Sequence, residues 1–130
     1  MIVVGYTADQ FGHTALEHGI AEAKLRNTTL LVVNSTAGDS YVDAAFAQQK
    51  EMHSLEDRLA ECGVAYEIEQ PVGKYAADAL LAAMDRYEAE LLVIGIRHRN
   101  PVGKLLLGSV SQQLILECRK PVLAVKPADG

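Results

Sequence analysis

The sequence predicts an α/β fold: a five-stranded parallel sheet, doubly wound, with helices on both faces. Two observations carry this. Four short runs, at 1–6 (MIVVGY), 29–35 (TLLVVNS), 90–96 (ELLVIGI) and 121–126 (PVLAVK), are continuously apolar and rich in β-branched residues. Strands covered by helices on both sides look like this. Amphipathic helical patterns separate the runs, and strict alternation of strand and helix calls for parallel strands joined by right-handed crossovers. With 130 residues, 49% of them hydrophobic, the chain is expected to form one α/β domain over residues 1–130, with no internal repeat or linker.

Each element has its own justification. The strand at 1–6 leads into a helix over 12–26, whose Ala15, Leu16, Gly19, Ile20 and Ala23 share one face. The strand at 29–35 is followed by a helix over 40–62 with Val42, Ala45, Phe46, Met52, Leu55 and Leu59 inward, stopping at Gly63. Residues 64–70 alternate Val64, Tyr66 and Ile68 with Ala65, Glu67 and Glu69, so this strand has one wet face and belongs at a sheet edge. A helix over 75–88 presents Ala76, Ala77, Leu80, Leu81 and Met84. After the strand at 90–96 comes a helix over 109–117 with Val110, Leu114 and Ile115 inward, and Pro121 prevents its continuation.

Composition excludes several function classes. A net charge of -5 argues against general nucleic-acid binding, which needs a basic surface. No apolar run approaches the ~20 residues that span a bilayer. The N-terminus enters a strand without a signal-peptide pattern. Cys62 and Cys118 have no zinc-type spacing and are expected to be reduced, which suits the cytoplasm.

One stretch, GIRHRNPVGKLLLGSV at 95–110, reads as neither helix nor strand throughout. It carries Arg97, Arg99 and Lys104 and no acid, which leaves 9 bases against 17 acids, or -8, elsewhere. From charge alone a solvated loop is the simpler reading. Position changes the balance. Ligands of doubly wound sheets bind outside the carboxyl ends of the strands where strand order reverses. Here those ends are Gly5-Tyr6-Thr7 and Gly95-Ile96-Arg97. Gly95 permits close approach of a ligand or of neighbouring backbone. Gly108-Ser109 opens a helix, with Ser109 expected as its N-cap, and helix N-terminal amides favour phosphate. Two other phosphate loops are excluded. Leu105 follows Lys104 where a Walker A loop needs Ser or Thr, and GYTADQFG lacks the dinucleotide spacing G-x-G-x-x-G.

The residues resemble the universal stress protein family, whose nucleotide loop reads G-x2-G-x9-G-[ST] after the fourth strand of a five-stranded α/β domain. Here Gly95 is followed by two residues, His98, nine residues and Gly108-Ser109; VVGY, LLVVNS and KPVLAVK extend the likeness over the whole chain. His98 stands in the place of the second loop glycine, and Thr7 where an acid is frequent. The resemblance implies a Rossmann-like sandwich that binds ATP or another adenine nucleotide, with or without magnesium. It also implies a stress-response regulatory or sensing role and a homodimer formed through the C-terminal strand. In that reading Gly95, Arg97, Gly108, Ser109 and Val110 surround the phosphates and ribose, and Thr7 and Val33 lie near the base and sugar. Gly5, Tyr6, Ile94, His98, Arg99 and Gly103 complete the candidate nucleotide-binding residues, with His98 and the two arginines as phosphate donors. The alternatives are a domain of the same fold that binds no nucleotide and works through dimerisation and partner contacts, and, less favoured, an ATP hydrolase.

No catalytic or metal site is expected, and the protein is read as a non-enzyme. Ser109 has no His/Asp company legible in sequence. His13 and His18 do not share a helix face, and His53 is expected to be exposed. The acids of the 40–62 helix read as a solvated face, and Asp39 and Asp43 as helix-start charges.

Overall fold

The computed structural model describes residues 1–34, 42–71, 73–97 and 107–128, with side chains in the second segment from residue 50 onward. The elements follow in the order β1 (Ile2–Tyr6), α1 (Gln10–Arg26), β2 (Leu30–Asn34), α2 (Val42–Glu61), β3 (Tyr66–Glu69), α3 (Ala76–Arg86), β4 (Leu91–Gly95), α4 (Ser109–Glu117) and β5 (Val122–Val125). All strand pairings are parallel, and the sheet order is β3-β2-β1-β4-β5. The expected architecture is present, with β3 at one edge and β5 at the other.

The continuous apolar runs are explained by burial on both faces. Ile2, Val4 and Tyr6 of β1 pack into one cluster with Leu16 and Ile20 of α1 and Leu55 and Leu59 of α2. Val3 faces the other layer, with Ala77, Leu80 and Met84 of α3 and Leu114 of α4. A fully buried Leu or Ile contributes about 2 kcal/mol relative to exposure, so both layers are needed to hold the sheet. Gly19 lets α1 press onto β1, because a Cβ there would lie 2.2 Å from the Val4 side chain.

Helix ends follow local chemistry. Asp9 caps α1 by accepting from the Gly12 amide at 2.9 Å, which starts the helix at Gln10 rather than at 12. Asn27 closes α1 in the left-handed region, with φ 54, and Gly63 follows α2 with φ +77. Three expectations are corrected. Ser109 is the first residue of α4, and Gly108 occupies the cap without a side-chain hydrogen bond. Ile115 is 41% exposed and Tyr66 37% exposed, because each belongs to an element at the rim of its layer next to an edge strand or on one. Among the described residues, no helix is long and apolar enough to cross a membrane.

Arg58 of α2 grips Glu17 of α1 through Nε at 2.8 Å and Nη2 at 2.6 Å. Its guanidinium holds the Glu17 carboxyl below the usual carboxylate range. Because folding lowers this pKa, the stabilisation is present above the unfolded carboxyl value and is lost as pH falls through the folded one. Arg58→Met is expected to cost about 0.5 kcal/mol at neutral pH, as exposed pairs do. The difference from wild type in urea unfolding should vanish once Glu17 is protonated.

Candidate functional site

β1 and β4 are neighbours, while the chain leaves them for opposite halves of the sheet, so their carboxyl ends form the switch point. Two glycines bring the segments after these strands together. A Cβ on Gly12 would lie 1.7 Å from the Thr7 carbonyl oxygen, so the first turn of α1 folds tightly over the end of β1. A Cβ on Gly95 would lie 2.2 Å from the Phe11 carbonyl oxygen. Backbone, then, is what approaches Gly95 closely in this structure. The Arg97 guanidinium sits over the Phe11 ring, 5.6 Å from its centroid, which gives the cation a fixed neighbour.

The result is a cleft of about 330 Å³ lined by Thr7, Asp9, Phe11, Gly95, Ile96, Arg97, Gly108 and Ser111. Beside it lies a smaller hollow of about 180 Å³, which shares Thr7, Gly95 and Ser111 and adds Gly5, Ile94 and Val110 among others. The larger volume falls in the range of small-molecule sites.

The two helices that start here differ electrostatically. The Asp9 carboxylate occupies the start of α1, where its Oδ1 accepts from Thr7 Oγ1 at 2.7 Å and from the Gly12 amide. α4 begins at Gly108 with no side-chain cap and no acid in its first turn. Its leading amides and dipole therefore favour an anion, with Arg97 lining the same cleft. Beside the same helix start, the Tyr75 hydroxyl lies 3.4 Å from Ser109 Oγ.

The sequence-predicted residues divide as follows. Thr7, Gly95, Arg97 and Gly108 line the cleft, and Gly5, Ile94 and Val110 the smaller hollow. Ser109 is exposed at the rim. Val33 is buried beside Gly5 in the sheet and lines neither space. His98, Arg99 and Gly103 lie outside the described residues. The Tyr6 side chain is fully buried in the opposite layer, among the α1 and α2 residues. There its hydroxyl donates to Glu51, which is also 2.9 Å from His13 Nε2. Burial, then the Glu51 hydrogen bond, pushes the Tyr6 pKa up, so the phenol stays a donor. Glu51 was expected on a solvated helix face; instead it joins α2 to α1 and β1, because Tyr6 supplies a buried donor that needs an acceptor.

Asp9, Phe11 and Ser111 were not anticipated. Asp9 had a legible signal, an acid just before a helical pattern. Phe11 and Ser111 had none, since they come to one cleft only through the tertiary placement of α1 and α4. Among the described residues, no group of three or more His, Cys, Asp or Glu is placed to hold a metal ion.

The family model for the universal stress proteins matches residues 1–126. The chain belongs to the universal stress protein family. A universal stress protein of Mycolicibacterium smegmatis is 68% identical over 127 residues, covering 98% of each chain. Among solved structures, a universal stress protein of Archaeoglobus fulgidus in complex with dAMP is similar at TM-score 0.73 and 26% identity, over 96% of each chain. Another universal stress protein, in complex with cAMP, has TM-score 0.71 and 25% identity, over 98% of this chain and 96% of that one. In universal stress protein terms, the cleft carries the first and last glycines of the family loop, Gly95 and Gly108, on its walls.

Proposed function

We propose that this universal stress protein binds ATP or a related adenine nucleotide in the cleft between the β1–α1 turn and the start of α4, and acts as a stress-response regulatory or sensing module. The observation that carries the reading is the uncapped, acid-free start of α4 lining one cleft together with Arg97. Such an end favours a phosphate without requiring a metal. Related universal stress proteins were solved with dAMP and with cAMP, which supports an adenine nucleotide as the ligand class. Phosphate is assigned to the amides of Ser109 and Val110 and to Arg97, and sugar to the Thr7 side of the cleft. A binding role is favoured over a catalytic one because Ser109 at the rim meets a tyrosine, not a histidine, among the described residues. Mass spectrometry of nucleotide released from freshly purified protein, followed by calorimetry with ATP and AMP, tests the reading. Stoichiometric adenine nucleotide with measurable affinity is expected; neither nucleotide released nor any heat of binding would overturn it.

A second element of the proposal is a homodimer through β5. Val122, Leu123 and Ala124 are only partly buried at the sheet edge, and Leu116 on the preceding helix is 82% exposed. An uncharged edge strand invites an antiparallel copy of itself across a two-fold axis. Leu123→Lys is expected to convert dimer to monomer by light scattering, with circular dichroism confirming a folded chain. A folded variant that remains dimeric would place the interface elsewhere.

A further inference from the structure

We infer that Glu51 of α2 is a positioning residue for the cleft, holding the β1–α1 turn in place from outside it. Its effect on affinity rests on the nucleotide reading above. Glu51, Leu55 and Leu59 are four residues apart and share one face of α2. Leu55 and Leu59 are buried in the cluster that also holds Tyr6, Leu16 and Ile20. Glu51 thus puts a half-buried carboxylate where that apolar row reaches the end of β1.

One oxygen of this carboxylate meets two donors. Oε1 accepts from the Tyr6 hydroxyl and lies 2.9 Å from His13 Nε2. The two rings pack edge to face, with centroids 5.5 Å apart and planes at 87°. Satisfying the buried Tyr6 hydroxyl accounts for one of these contacts and not for the other. The two donors are set apart by their places in the chain. Tyr6 is the last residue of β1, and His13 stands at the start of α1. Between them run Thr7, Asp9 and Phe11, which line the cleft. A single carboxylate oxygen therefore joins both ends of the turn that forms part of the cleft wall. Within the turn, the Asp9 amide donates to the Thr7 carbonyl at 2.9 Å, the Gly12 amide to Asp9 Oδ1 at 2.9 Å and the His13 amide to the Asp9 carbonyl at 3.0 Å. Those bonds are local, whereas Glu51 is 45 positions from Tyr6 and ties the turn to a separate helix. Glu51 does not line the cleft, so it acts through the turn. A segment fixed at both ends opens less often, and a wall already in place need not be ordered when a ligand arrives.

Hydrogen exchange of the nucleotide-free protein, read by NMR at the Asp9, Gly12 and His13 amides, tests the clamp. Glu51→Ala is expected to speed exchange there by roughly tenfold, the scale of a lost hydrogen bond to a charged acceptor. Amides late in α1, from Ile20 to Ala23, should keep their wild-type rates. Glu51→Gln keeps an oxygen for both donors and should restore most of the protection. If Glu51→Ala does not fold, Tyr6→Phe, which keeps the ring in the core, should speed exchange at the same amides. Calorimetry with AMP reads the consequence: affinity should fall by roughly tenfold in Glu51→Ala and recover in Glu51→Gln. Wild-type exchange at the turn amides in a folded variant would overturn the clamp, as would an equal acceleration of every amide. A loosened turn with unchanged AMP affinity would overturn the positioning role. If wild type binds no AMP, the nucleotide reading fails, while the exchange rates still decide whether Glu51 holds the turn.

Discussion

Gly108→Val should abolish nucleotide binding while leaving the protein folded. The backbone at Gly108 has φ -65 and ψ 161, which any L-residue adopts, and a Cβ there would meet nothing within 4 Å. Valine is a poorer helix cap than glycine, so a stability loss of about 1 kcal/mol is expected and no more. The consequence for a ligand is different. The added branched side chain would stand at the mouth of α4, where the proposed phosphate meets the helix amides. Both the contact and the approach are then lost, and affinity should fall by roughly a hundredfold or more, about 2.7 kcal/mol. Calorimetry with ATP, paired with a thermal melt, reads both effects at once. A folded variant with the affinity of wild type would exclude the α4 start as the phosphate site.

Gly12→Ala should have the opposite profile, a large loss of stability that is independent of any ligand. Its Cβ would fall 1.7 Å from the Thr7 carbonyl oxygen and 2.4 Å from the Thr7 nitrogen. These are backbone atoms at the end of β1, so no side-chain rotation relieves the overlap; α1 must lift from the sheet. Overpacking of this kind costs about 3 kcal/mol, and on the order of 10 °C in melting temperature for a chain of this size. Lifting α1 also moves Asp9 and Phe11, which connect the β1 end to Gly95 and Arg97. Nucleotide affinity is expected to fall together with stability. An alanine variant that melts with wild type would mean that the first turn of α1 is free to shift, contrary to this packing.

The two glycines look alike in sequence, and only the fold tells them apart. The same holds for Gly95. The family pattern gives it a place in a nucleotide loop, whereas the structure gives it a prior obligation to the Phe11 carbonyl. A close approach by backbone is a three-dimensional fact: it depends on how α1 leaves β1 and where it lies against β4. Gly108 has no such obligation among the described residues, which makes it the cleaner probe of ligand binding.

Local pattern was enough for the order of elements, the parallel sheet, the edges and the switch point. Apolar runs such as LLVV at 30–33 and LLVI at 91–94 have to be covered on both faces, and alternation with helices leaves few topologies. It also determined most inward helix residues, because a 3.6-residue period is a local property of the chain. Which side chains share a space depended on the packing of the elements. Glu51 reads as one acid among several on a polar helix face until α2 docks and brings it to the Tyr6 hydroxyl. Arg97 and Phe11 are 86 positions apart and meet only because β1 and β4 are adjacent. Asp9 shows both sides in one residue. Its capping role has a local signal, an acid just before a helical pattern, but its place in one cleft with Arg97 required the sheet, since hydrogen bonds and charges act through distances that local pattern does not contain.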